Sequence, residues 1–131
     1  MPHNVFHRHA NALEDEDFGV RYAATQALPN LGPEAIPVLT QALTSERGDS
    51  RAAAAEALGS IGPSAASAAP ALRHALEQAD METLAGIARA LDAVQPGARE
   101  NVRAIVKMLE NEDKIMRANA IIALGQMEAN A

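Results

Sequence analysis

Apolar positions along this chain recur three and four residues apart, the spacing of one face of a helix. In the stretch Arg21-Tyr-Ala-Ala-Thr-Gln-Ala-Leu28-Pro-Asn-Leu31-Gly32-Pro33, that face is built from Ala24, Ala27, Leu28 and Leu31. The stretch returns as Arg51-Ala-Ala-Ala-Ala-Glu-Ala-Leu58-Gly-Ser-Ile61-Gly62-Pro63. A weaker copy runs from Leu84 to Leu91, Val94 and Pro96, and a last one from Arg117 to Leu124 and Met127. The offsets are 30, 33 and 33 residues. A second column of Leu39, Leu72 and Ile105, with Leu43, Leu76 and Leu109 four residues on, keeps the same step. A fixed period of this size marks a stack of similar units, each of which buries its apolar face against the next.

Each period reads as two helices. The first, called A here, spans about Asp17 to Leu31 and starts again at Asp49, Asp80 and Asp113. An acidic residue at each start suits the free amides and the positive dipole end of a first turn. Gly32-Pro33 and Gly62-Pro63 stop the first two A helices, because glycine turns the chain and proline does not continue it. The second helix, B, spans about Ala35 to Thr44, Ser67 to Gln78 and Ala98 to Asn111, with Pro37 and Pro70 tolerated near its start. The residues added in Pro63-Ser-Ala-Ala-Ser-Ala-Ala-Pro70 are expected to form a loop. The period extends backwards to a lone B helix at about 4–14, with Leu13 in register with Leu43, and forwards to a lone A helix at 113–128. Eight helices are expected in the order B, AB, AB, AB, A. They form one all-α unit over 1–131, with repeats at about 17–46, 47–79 and 80–112.

Composition narrows the picture. Alanine supplies 30 of 131 positions and aromatics only 2%, so the helices must pack closely around a thin core of Ala, Leu and Ile. There is no cysteine, hence no disulfide, thiol nucleophile or cysteine-held zinc. A net charge of −6 argues against a phosphate-backbone binder, which needs a basic face. No stretch approaches the roughly 18 apolar residues of a membrane span, and the N-terminus shows no signal-peptide core. Cytoplasm is the expected compartment.

The pattern Asp17-x-x-Val20-Arg21-x-x-Ala-x-x-Ala27-Leu28-x-x-Leu31-Gly32-Pro33, then Ile36-Pro37-x-Leu39-x-x-Ala-Leu43, resembles the bacterial HEAT repeat. More narrowly, it is similar to the HEAT-like repeats of the phycobilisome-lyase type. In the third period Leu84 replaces the arginine, and Gln95-Pro96-Gly97 replaces the Gly-Pro stop. The resemblance implies a right-handed α-solenoid with A helices outside, B helices lining a concave face, and protein–protein interaction as its work. An alternative it offers is a subunit of a bilin-lyase-type complex for chromophore attachment. The few rings, Phe6, Phe18 and Tyr22, sit near one end, which disfavours a bilin pocket.

Candidate chemistry is sparse. His3 and His7 have the i, i+4 spacing of one helix face, but His9 points elsewhere and no third ligand follows, so no metal site is expected. His74 stands alone. The two-iron hydroxylases built on this architecture use His-Glu pairs, and none occurs here. Absence of tryptophan and a negative charge speak against the DNA glycosylases of similar fold. Ser45, Ser50, Ser60, Ser64 and Ser67 fall at loops or helix ends, where capping explains them. Gly32, Gly59 and Gly62 end helices rather than opening a phosphate loop. Glu14-Asp-Glu-Asp17 and Glu110-Asn-Glu-Asp113 lack the alternating spacing of a calcium loop and precede A helices. Arg21, Arg51 and Arg117 recur at one repeat position; local bridges from Asp17 and Asp113, and a ladder between repeats, are expected. Neither a catalytic residue nor a cofactor is expected.

Register locates the surface most suited to a partner. With Ile36, Leu39 and Leu43 inward, the opposite B-helix face carries Arg8, Asn11 and Glu14, then Gln41 and Thr44, His74 and Glu77, Lys107 and Glu110. Val38, Ala71 and Ala104 make an apolar seam between them. A protein partner is expected there, with no nucleic acid or membrane. The last A helix carries Ile122 where Gln26, Glu56 and Arg89 stand earlier. Burying that isoleucine is worth roughly 1.5–3 kcal/mol. Either a longer natural chain or self-association would cover it, and the expectation is a two-fold homodimer through Met116, Ile121, Ile122 and Met127.

Overall fold

The alanine-rich periods form paired helices, and the pairs stack. The computed structural model describes residue 8 and residues 11–129. Most of the expected first helix lies outside them, as do His3, Phe6, His7 and His9, while residues 11–13 are helical. Seven α-helices follow among the described residues: α1 (Phe18–Ala27), α2 (Ala35–Ala42), α3 (Gly48–Ile61), α4 (Ala69–Glu77), α5 (Met81–Val94), α6 (Arg99–Lys107) and α7 (Lys114–Ala129). The A helices α1, α3, α5 and α7 pack in series, and α2, α4 and α6 lie alongside as a second layer. This is an α-solenoid.

The core runs unbroken along the stack. Leu28, Leu58 and Leu91 hold one repeat position and are all fully buried, as are Leu39, Leu72 and Ile105 in the other layer. Small residues let the A helices approach closely: a Cβ placed on Gly59 of α3 would lie 3.3 Å from the Cα of Ala90 on α5. The turns after α1 and α3 use Gly32 (φ 99°) and Gly62 (φ 79°), a region glycine enters without a Cβ clash. In the third repeat that role moves to Gly97 (φ 71°).

The inserted stretch differs from the expected loop. Residues Gly62–Ala68 form a 3-10 segment kinked at Ala65, with Ala65 and Ala68 fully buried. These alanines are small and apolar enough to be absorbed beneath α3 and α4, so the extra residues join the core.

Helix starts are capped by three of the four expected aspartates. Asp17 accepts from the Val20 amide at 3.1 Å, and Asp113 from the Ile115 amide at 2.8 Å. Asp80 and Thr83 cap each other reciprocally: Asp80 Oδ1 accepts the Thr83 amide, and Thr83 Oγ1 accepts the Asp80 amide. Asp49 instead sits inside the first turn of α3, whose N-cap is Arg47.

Candidate functional site

The repeated arginines do different work from the expected i, i+4 bridges. Each reaches back to the main-chain carbonyl six residues earlier: Arg21 to Asp15 (2.7 Å), Arg51 to Ser45 (2.8 Å), Arg117 to Asn111 (2.8 Å). Arg21 and Arg117 also donate to the next carbonyl, of Glu16 and Glu112. Asp17 and Asp113 are engaged as caps, and the guanidinium fastens the loop that enters the A helix. The ladder is represented by Arg21 and Asp49, 3.6 Å apart across α1 and α3. Leu84 replaces the arginine in the third repeat and is fully buried. These recurring cations are structural clamps.

The expected partner-facing residues are all exposed: Arg8, Asn11 and Glu14, Gln41 and Thr44, His74 and Glu77, Lys107 and Glu110. The ends of successive B helices and the turns after them therefore hold the same two positions in solvent, while Leu39, Leu43, Leu72, Leu76 and Ile105 fill the core behind them. Several of these side chains have intramolecular partners. Glu14 accepts from the Ser45 hydroxyl at 2.9 Å, Thr44 donates to the Gln41 carbonyl at 2.7 Å, and His74 Nδ1 stands 4.0 Å from Glu77. The seam beside them closes along the stack, with Val38 and Ala71 half-buried and Ala104 buried. The surface is polar, of mixed charge and shallow.

The expected self-association patch is divided by the structure. Ile121 and Ile122 are 61% and 57% exposed, but Met116 and Met127 are buried. This corrects the expectation for the two methionines. Met116 occupies the position of the buried Ser50 and Thr83, facing the preceding repeat, and Met127 that of the buried Val94. Long, flexible methionine side chains fill these internal gaps.

Two features escaped the sequence reading. Asn101, fully buried, donates to the carbonyls of Leu91 (3.1 Å) and Gln95 (3.2 Å) and accepts from Arg73 on α4 at 3.0 Å. Its signal was an amide where the earlier repeats have Ala35 and Ala68. The other is an exposed aromatic pair on α1: the Phe18 and Tyr22 rings stack at 6.1 Å, and the Arg21 guanidinium lies 6.0 Å from the Phe18 centroid. The pair belongs to an A helix, away from the B-helix column.

Among the described residues, no three His, Asp or Glu side chains gather as a metal site would require. No described helix is long and apolar enough to cross a membrane.

Comparison with known proteins accords with this architecture. A crystal structure of an engineered protein is 25% identical, with a TM-score of 0.52, over 94% of this chain and 37% of its own. Another engineered protein is 26% identical, with a TM-score of 0.52, over 94% of this chain and 62% of its own. The chain thus spans less than two thirds of either. No curated protein matches it. The family model for HEAT repeats matches residues 9–92. HEAT repeats generally mediate protein–protein interaction, typically as non-enzymatic scaffolds. With its stacked helix pairs and that match over more than half its length, the chain belongs to the HEAT-repeat family.

Proposed function

We propose that this protein is a non-enzymatic interaction module that holds a protein partner along its B-helix face. One observation carries the reading: Gln41 and Thr44, His74 and Glu77, Lys107 and Glu110 repeat the same two exposed positions at the C-terminal ends of successive B helices and the turns that follow them. A stack that keeps one polar row in solvent offers an extended surface whose side chains vary while the backbone beneath stays constant. Family membership supports protein rather than small-molecule binding. Neither nucleic acid nor membrane fits a chain of net charge −6 without a dominant basic row.

The row has no large aromatic anchor, and tight interfaces concentrate their energy in Trp, Tyr and Arg. A partner held there is bound by many modest contacts, with fast exchange. The test is affinity capture from the source lysate with the unmodified chain and with a variant carrying Gln41→Glu, His74→Glu and Lys107→Glu. Partners held by the former and lost by the latter support the reading. The same partners on both would remove the B-helix face from consideration.

A further inference from the structure

The A helices share a second row of side chains that stacking leaves in solvent. Register gives its positions as Gln26, Glu56, Arg89 and Ile122, and all four are exposed. One turn earlier the same face carries Tyr22, Ala52, Ala85 and Ala118, none of them buried. Helices α3 and α5 each pack against an A helix on both sides and still keep this face open. Its exposure is therefore a property of every repeat, and a further repeat at either end would not cover it.

Charge and size are distributed across this face in a self-complementary way. Between α3 and α5 lies an open groove of about 500 Å³, with the buried Ala55 and Ala90 and Gly59 at its base. Glu56 stands on one wall and Arg89, at the same register position, on the other. Neither side chain has an ionic or hydrogen-bonded partner among the described residues. Large apolar side chains stand on the flanks of the face: Phe18 and Tyr22 on α1, 72% and 53% exposed, and Ile122 on α7, 57% exposed.

We propose that a second copy of this chain covers this face, related to the first by a two-fold axis that runs along the groove between α3 and α5. Charge complementarity selects both the occupant and the axis. The rotation exchanges the two walls, so α3 of each copy lies over α5 of the other and each Glu56 meets an Arg89. An axis across the groove would instead set Glu56 against Glu56 and Arg89 against Arg89. Ala52 and Ala85 at the centre let the two layers approach closely, since side-chain size at the contact sets the distance between helices. The same rotation carries α1 over α7, so Tyr22 and Gln26 of one copy meet Ala118 and Ile122 of the other. Larger side chains thus span the flanks, where the curvature of a solenoid draws the layers apart. The contact is isologous and closes at two copies. It leaves the Gln41, His74 and Lys107 row of both copies free, so the dimer offers two partner-binding faces.

Light scattering across a concentration series tests it, with Glu56→Arg, Arg89→Glu and a chain that carries both changes. The two side chains are exposed, and circular dichroism checks that each variant keeps its fold. The unmodified chain is expected to reach a dimer at high micromolar concentration and to go no further. Each single reversal sets like charges together twice and is expected to leave a monomer. An equimolar mixture of the two single variants is expected to dimerise, because every facing pair is again of opposite sign, and so is the double variant. Rescue on mixing separates pairing between copies from pairing within one chain. A monomeric unmodified chain overturns the proposal, as does assembly beyond two copies. So does a single reversal that still dimerises, or a mixture or double variant that stays monomeric.

Discussion

The Ser50 hydroxyl, in the first turn of α3, donates to the main-chain carbonyl of Leu13 at 2.7 Å across 37 residues of chain. Ser50 and Leu13 are both fully buried, so this bond ties the helix at residues 11–13 to the second repeat in a region without water. Ser50→Ala leaves a buried acceptor without its donor, at a cost of about 1–3 kcal/mol. Urea unfolding is expected to show that loss with an unchanged m-value. A change below a few tenths would mean that the Leu13 carbonyl finds another partner.

Asn101→Ala is expected to destabilise by about 2 kcal/mol, although alanine is the residue at the same position in both earlier repeats. The amide bonds two carbonyls near the end of α5 and receives Arg73, so its removal loosens α4, α5 and α6 together. Thermal unfolding with Arg73→Ala and the double variant checks the linkage. The pair is expected to be non-additive, as residues in one hydrogen-bond network are.

Glycines within the A helices are expected to respond in opposite directions. A Cβ on Gly86 meets nothing within 4 Å, so Gly86→Ala gains helix propensity of up to about 1 kcal/mol. A Cβ on Gly59 meets the backbone of Ala90 at 3.3 Å, so Gly59→Ala spends that gain on displacing α5, and Gly59→Val is a net loss. Comparing the midpoints of chemical unfolding for the three variants decides the point.

Arg21→Ala is expected to cost more than Asp49→Asn. The guanidinium makes two carbonyl bonds and is largely buried, with side-chain exposure of 11%, whereas the Asp49 side chain is 63% exposed. An ion pair with so open a partner contributes less than about 1 kcal/mol and fades with salt. Unfolding in low and high salt should therefore separate the two: Asp49→Asn loses its effect at high salt, and Arg21→Ala keeps most of it.

Much of this protein is determined by its sequence alone. A period near 30 residues, helical spacing within it and Gly-Pro stops suffice for the paired helices, their order and the leucine columns that fill the core. These are local properties, since each side chain's face follows from its place on a 3.6-residue turn. Exposure of the Gln41, His74 and Lys107 column follows in the same way, being the face opposite the core. Tertiary structure decided the rest, because it depends on neighbours that the period does not name. Met116 and Met127 look as apolar in sequence as Ile121, yet they are buried in the stack while Ile121 stands 61% exposed. The arginines had aspartates at helical spacing, yet loop geometry brought carbonyls closer and left the aspartates to cap the helices. Asn101 found its partners only when α4, α5 and α6 came together. Helical periodicity sets the direction of a side chain, and packing decides what it meets there.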